Sequence, residues 1–257
     1  MSDQTSTKTQ SDDVDLILCR SQLYGALAYF YRHPASLRTD SIDKEQREMW
    51  EESVSQLRFS NKPYLQSIMK SLMRELDKIN KQEWVSLYED CFSHTAHGTV
   101  SSYELEYGEE HTYRQPQQLG DIAAFYQAFG LKVNEKTHER VDHISVECEF
   151  MHFLNFKEAY ALEHDSKDNA ETCRLANSRF LSEHLGRWAP SFAMRLSKYV
   201  KEGLFKHLAD FTYSFLIEDC KSKGITPGSS DLPLRSVNEN YDSGCVTCSL
   251  KPGFQSS

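Results

Sequence analysis

Apolar residues recur at helical spacing along most of the chain. From Tyr64 to Ile79 they fall at Leu65, Ile68, Met69, Leu72, Met73, Leu76 and Ile79, one stripe of a 3.6-residue helix. Trp84, Leu87, Tyr88 and Cys91 continue the pattern into a second helix. Upstream, Leu16, Leu23, Leu27 and Phe30 predict a helix capped by Asp13, running to about Arg32 and stopped by Pro34. Between His94 and Pro116 the periodicity fails, and glycines and serines mark a long loop. Helical spacing returns at Leu119, Ile122, Phe125, Tyr126 and Phe129, with Gly130 as a stop. Asp142 then reads as the N-cap of a helix reaching about His164. Ile144, Val146, Cys148, Phe150, Met151, Phe153, Leu154 and Phe156 make that helix apolar around most of its circumference. Such a helix is expected to be central and surrounded by others. Further helical patterns run from about Asn169 to Trp188, Ser191 to Lys201 and Leu204 to Lys221.

Alternating strand patterns are nearly absent, so the fold class is all-α, with the helices over residues 14–223. Residues 1–13 are polar and expected to be a disordered N-terminus. Residues 224–257 are rich in Gly, Pro and Ser and read as a tail or extended arm, not a packed element.

Composition narrows the function. The 257 residues are 39% hydrophobic and 26% charged, as in a soluble globular protein, with a formal net charge of -9. That charge disfavours nucleic acid as a partner and favours a basic peptide. No secretory signal pattern opens the chain, and no run approaches the ~18 apolar residues of a membrane span. A cytoplasmic location without stable membrane insertion is expected. The seven cysteines are odd in number and scattered, the usage of reduced thiols and not of a disulfide framework.

The candidate chemistry lies around the long loop. Tyr103, Glu104, Glu106 and Tyr107 offer carboxylates and rings suited to guanidinium groups, or they pin an ordinary surface loop to the body. Asp142 and His143 open the apolar helix, with Glu147 one turn beyond His143 on the same face. They form either a polar recognition spot or a capping residue with a routine side-chain pair. Cys91, His94 and His97 are metal-ligand types at C-x-x-H-x-x-H spacing, which matches no standard zinc framework. Cys245 and Cys248 form a lone C-x-x-C in the tail, with no second pair to complete a four-ligand site. No phosphate loop, dinucleotide fingerprint, nucleophile elbow or H-E-x-x-H is present, so no catalytic residue, metal or cofactor is assigned.

Several stretches together resemble one family. S-S-Y-E-L-E-Y-G at Ser101–Gly108 is similar to the P-Y-E-x-x-Y loop of the TorD/DmsD/NarJ-type chaperones for molybdenum enzymes, with Ser102 where proline is common. G-D-I-A-A-F-Y-Q-A-F-G-L resembles the helix that follows it. Asp142, His143, Glu147, Phe150 and Met151 match the family's D-H-x-x-x-E-x-x-F-M signature. His184, Leu185, Trp188, Pro190 and Phe192 match its H-L-x-x-W-x-P-x-F segment. The resemblance spans roughly Val14–Lys221 and looks closest to the branch serving dimethyl-sulfide, selenate, chlorate or ethylbenzene enzymes. It implies a non-enzymatic, cytoplasmic chaperone whose all-α fold is a single-domain helical bundle. Its partner would be the apo catalytic subunit of a molybdenum oxidoreductase, bound through a twin-arginine signal peptide, with export delayed until the molybdenum cofactor is inserted. The implied binding residues are Tyr103, Glu104, Tyr107, Asp142, His143 and Glu147. The alternative is a metal- or redox-active protein using Cys91, His94 and His97 or Cys245 and Cys248.

Overall fold

Helices form where the apolar stripes predict them. The computed structural model describes residues 2–37, 42–92, 100–108, 115–132 and 139–235, with side chains from residue 13 onward. Helix α1 is Ser2–Tyr31, α2 Lys44–Gln56, α3 Lys62–Leu76 and α4 Lys81–Phe92. After the long loop come α5 Gln115–Ala128, α6 Ile144–Glu163, α7 Lys167–Phe180, α8 Gly186–Tyr199 and α9 Leu204–Ser222. Among the described residues there is no strand, only two isolated bridges. None of the described helices is long and apolar enough to cross a membrane.

α1 begins before the expected cap. The polar stretch marked as disordered carries the first turns of α1, and Asp13 lies inside the helix. No glycine or proline interrupts residues 2–31 except Gly25, so a helix held by its apolar part can propagate backwards. Gly130 performs the expected stop. It takes φ +72°, and the Leu131 N–H returns to the Tyr126 carbonyl at 2.9 Å.

α6 carries the core. α1 lies along it, α7 flanks it, and α8 packs on α9, which in turn meets α3. Leu23, Leu27, Phe30, Ile144, Met151, Leu154, Trp188, Phe192, Phe211 and Phe215 share this one interior. Buried polar ties fix α1 to α9. Tyr24 donates to Asp219 at 2.7 Å, Arg20 pairs with the same carboxylate at 2.8 Å, and Tyr31 bonds Thr212 at 2.8 Å. α6 is nevertheless not enclosed, as its all-round apolar pattern had suggested. Phe156 and Tyr160 are 46% and 47% exposed, and Val146 and Phe153 are only partly covered. The extra apolar stripe faces a groove, not another helix.

Pro190 also departs from expectation. It lies within α8, where the sequence pattern had placed a boundary between two helices. A proline at this position offers no N–H to the carbonyl of Gly186, four residues back. That carbonyl is instead bonded by the Gly228 N–H at 2.9 Å. Helix α7 runs into α8 through a π-helical turn, Leu181–Leu185. Gly186 and Gly228 are both required for the close approach. A Cβ on Gly186 would lie 2.4 Å from the Leu181 carbonyl oxygen, and one on Gly228 would lie 1.9 Å from the Arg187 oxygen.

The segment 225–235 was expected to be an unpacked arm, and it packs as a strap. Beyond the Gly228 bond, Leu232 exchanges hydrogen bonds with Ser191, and its carbonyl accepts from Arg195 at 2.6 Å. The strap ends against the long loop. The Gly108 N–H donates to the Pro233 carbonyl at 2.9 Å and the Arg235 N–H to the Glu106 carbonyl at 2.8 Å. An absence of helix or strand pattern hid this, because the strap is held mainly through backbone groups and not through an apolar face.

Candidate functional site

The loop Ser101–Gly108 is gripped along both edges. On one edge, the Glu104 N–H donates to the Asp142 carbonyl and the Ile144 N–H to the Ser102 carbonyl, each at 2.9 Å. On the other lies the strap. The Tyr107 hydroxyl donates back to the Ser101 carbonyl at 2.7 Å. The loop is therefore fixed without the proline that Ser102 replaces.

The structure brings all six predicted residues into one cluster. Tyr103 is half-buried, while Glu104, Tyr107, Asp142, His143 and Glu147 are buried. His143 and not Asp142 is the N-cap of α6, its Nδ1 accepting from the Ser145 N–H at 3.2 Å. Asp142 is taken up elsewhere. Arg140 bonds both its oxygens, at 2.9 and 2.7 Å, and the Leu105 N–H donates to it at 3.2 Å. The same guanidinium reaches Glu106 at 3.2 Å and lies 4.5 Å from the centroid of the Tyr103 ring. His143 and Glu147 share a helix side without pairing. Tyr103 meets the His143 ring edge-on, with centroids 5.1 Å apart.

Two carboxylates in the cluster are driven in opposite directions. Burial would push Glu104 up, but His184 at 3.1 Å and Arg187 at 2.6 Å overcome it and hold the carboxyl below its ordinary value. Glu147 is pushed well above the carboxylate range by burial first and by the charge of Glu104 second. Its Oε2 accepts from the Trp188 indole N–H at 3.0 Å. These shifts favour the protonated form of Glu147 beside the ionised form of Glu104. Burial also raises Asp142, against the pull of Arg140. His143 is lowered to about 3, by burial and then by the charges of Arg140 and Arg32, so it is neutral. His184, Arg187, Trp188 and Arg140 complete this network. His184 and Trp188 stood in the sequence within H-L-x-x-W-x-P, and nothing in their spacing tied them to a loop eighty residues away in the chain.

The open space lies on the other side of α6. A groove of about 860 Å³ runs between the end of α1, the end of α5 and α6. Tyr126, Phe150, Phe153 and Phe156 give it aromatic walls, and Arg32, Glu139 and Glu149 sit along it. Glu139 joins the two regions, since its carboxylate is 3.8 Å from His143 Nε2. Beyond the groove, Phe156, Tyr160 and His164 stack along exposed α6, the last two with centroids 4.0 Å apart.

The cysteine–histidine alternative gains little from the structure. Burial, then the charge of Asp90, pushes the Cys91 thiol up to about 12, which disfavours the thiolate a metal would need. His94, His97, Cys245 and Cys248 lie outside the described residues.

Comparison with known proteins places the chain in a family. A family model described as nitrate reductase delta subunit matches residues 40–194, more than half of the chain. The chain is 30% identical over 103 residues to the chaperone protein TorD of Vibrio cholerae, covering 40% of this chain and 44% of that one. It is 31% identical over 102 residues to a perchlorate reductase assembly chaperone protein of Dechloromonas aromatica, covering 40% and 45%. It is 37% identical over 78 residues to a selenate reductase assembly chaperone protein of Thauera selenatis, covering 30% and 39%. These matches span less than half the length of each relative. The family model takes in the loop, the start of α6 and the Trp188 segment together, and the chain belongs to the nitrate reductase delta subunit family, the TorD/NarJ-type family its motifs resemble.

Proposed function

We propose that this chain is a cytoplasmic assembly chaperone for the catalytic subunit of a molybdenum oxidoreductase. It binds the apo subunit through its twin-arginine signal peptide, assists insertion of the molybdenum cofactor and delays export until the subunit is loaded. The names of the relatives support the class of activity. The observation that carries the mode of binding is the aromatic groove on α6 with carboxylates along it. An arginine-bearing peptide with an apolar run has the same two characters, and an amphipathic or apolar segment in a groove is an established recognition mode. Tyr103 contacts the peptide from the half-exposed edge of the loop. Glu104, Tyr107, Asp142, His143 and Glu147 act on binding from behind, by fixing the loop against the start of α6, which borders the groove.

Calorimetric titration with a synthetic peptide tests this. The peptide carries two adjacent arginines followed by an apolar run, and its control has the same residues in scrambled order. The ordered peptide is expected to bind with a dissociation constant on the order of 1 μM and the scrambled one far more weakly. Equal binding of the two, or none, overturns the proposal.

A further inference from the structure

Arg32 is the guanidinium already present in the groove. It follows the last residue of α1, where the helix C-terminus favours a positive charge. Its Nη2 lies 2.6 Å from Glu149 Oε2, across the α1–α6 junction that forms one wall of the groove. The two side chains are 37% and 58% exposed, so the pair is hydrated, weak and readily exchanged. The second carboxylate of the groove, Glu139, is half-buried. Burial raises it, and the charge that opposes this is that of Arg32. Its contact with His143 is no ion pair, because that imidazole is neutral. Both carboxylates therefore look to one resident arginine. Lys132, also on the groove, is exposed. The aromatic wall of Tyr126, Phe150, Phe153 and Phe156 begins beside the pair, and Phe156 is nearly half exposed.

We infer that Arg32 is a resident stand-in for an arginine of the bound peptide. In the free protein it occupies Glu149. On binding, the peptide guanidinium takes Glu149 and Glu139, Arg32 moves out to solvent, and the apolar run follows along Phe153, Phe156 and Tyr160. The arrangement makes arginine the residue the groove selects. A planar guanidinium stacks on the adjacent rings and spans two carboxylates, while a neutral side chain fails to displace Arg32. This inference rests on the reading of the groove as the signal-peptide site.

Fluorescence anisotropy with two labelled peptides tests it. One carries two adjacent arginines before a run of leucines and alanines, and the other has citrulline in place of both arginines. The wild type is expected to prefer the arginine peptide. Arg32→Gln is expected to tighten that peptide by roughly two- to fivefold, the range set by losing an exposed competing pair, and to leave the citrulline peptide unchanged. Glu149→Gln is expected to weaken the arginine peptide alone, and Arg32→Lys to stay near wild type. Thermal melts of each variant confirm the fold, which these exposed positions leave intact. Arginine and citrulline peptides bound alike, or an Arg32→Gln variant that binds no tighter, overturns the stand-in and leaves the groove as the binding site. A wild type that binds neither peptide overturns both readings.

Discussion

The two sides of α6 follow opposite rules. On the loop side, Glu147 and the preceding Asp142 and His143 are buried under Ser101–Gly108, Glu147 held by Trp188, Asp142 by Arg140 and the Leu105 N–H, and His143 by Ser145. On the groove side, Val146, Glu149, Phe153 and Phe156 are partly or largely exposed, and the Arg32–Glu149 ion pair lies at the surface. Charged groups are thus buried where apolar ones would be expected, and apolar groups are open where charged ones would be. The difference separates two tasks that sequence motifs merge. The motif residues hold a shape, and the unremarkable residues between them offer a surface. Substitutions on the loop side should change stability first, and those on the groove side should change affinity alone.

The largest effect is expected at Glu104. Glu104→Ala leaves Arg187 and His184 facing a vacated, largely buried site, at a cost of about 2–3 kcal/mol in urea unfolding, Arg187 recovering part of its hydration. An unfolding midpoint equal to wild type would break the comparison, since the buried carboxylate would then be dispensable to the fold.

Glu147→Gln sharpens it through pH. The folded pKa of Glu147 is raised, so folding binds a proton there that the unfolded chain releases above the ordinary carboxylate value. Its contribution is fully present below that value and is lost as pH rises towards the folded pKa. In wild type this group makes stability fall with rising pH by up to about 1.4 kcal/mol per unit between roughly pH 5 and its folded pKa. Glutamine keeps an acceptor for Trp188 and removes the titration. The variant should therefore lose stability less steeply over this range than wild type in a series of urea titrations. His143 and Glu104 act at the acid end. Both have lowered folded values, so their contributions are lost as pH falls, His143 between about 6.5 and about 3. Identical pH profiles for wild type and Glu147→Gln would mean that Glu147 is ionised in the fold.

The smallest expected change in stability is on the groove side. Phe156→Asp should alter unfolding by about 1 kcal/mol or less, because the ring is nearly half exposed. Affinity for the arginine-bearing apolar peptide should fall by about tenfold or more. A variant that loses stability and keeps affinity would exchange the roles assigned to the two sides.

Much of the fold was legible because local pattern and tertiary burial agree. The stripe from Leu65 to Leu76 is buried as one face of α3, and Gly130 ends α5 in the left-handed conformation only glycine adopts cheaply. Two of the departures involve a partner distant in the chain. Asp142 has the composition of a cap, but Arg140 and the Leu105 N–H claim its carboxylate and leave capping to His143. Pro190 reads as a break, yet Gly228 bonds the carbonyl the proline leaves free. The apolar circumference of α6 reads as burial, although one stripe of it faces the groove. The six candidate residues lie together in the structure, but their burial was not legible, since no local rule announces that His184, Arg187 and Trp188 will meet them.

The strap has a consequence for the order in which the molecule takes shape. A chain is made from its N-terminal end, and segments near the start can settle while later ones are still being joined. The loop at residues 101–108 is synthesised long before Pro233 and Arg235, whose backbone groups close its second edge. Glu104 must likewise wait for His184 and Arg187. The nascent chain can build α1 to α6, with Arg140 beside Asp142 and Glu106, and still lack the counter-charges for Glu104. The π-helical turn and α8 bring them, and the strap then closes the loop's second edge, so the last described stretch of the polypeptide finishes a site begun by its first half.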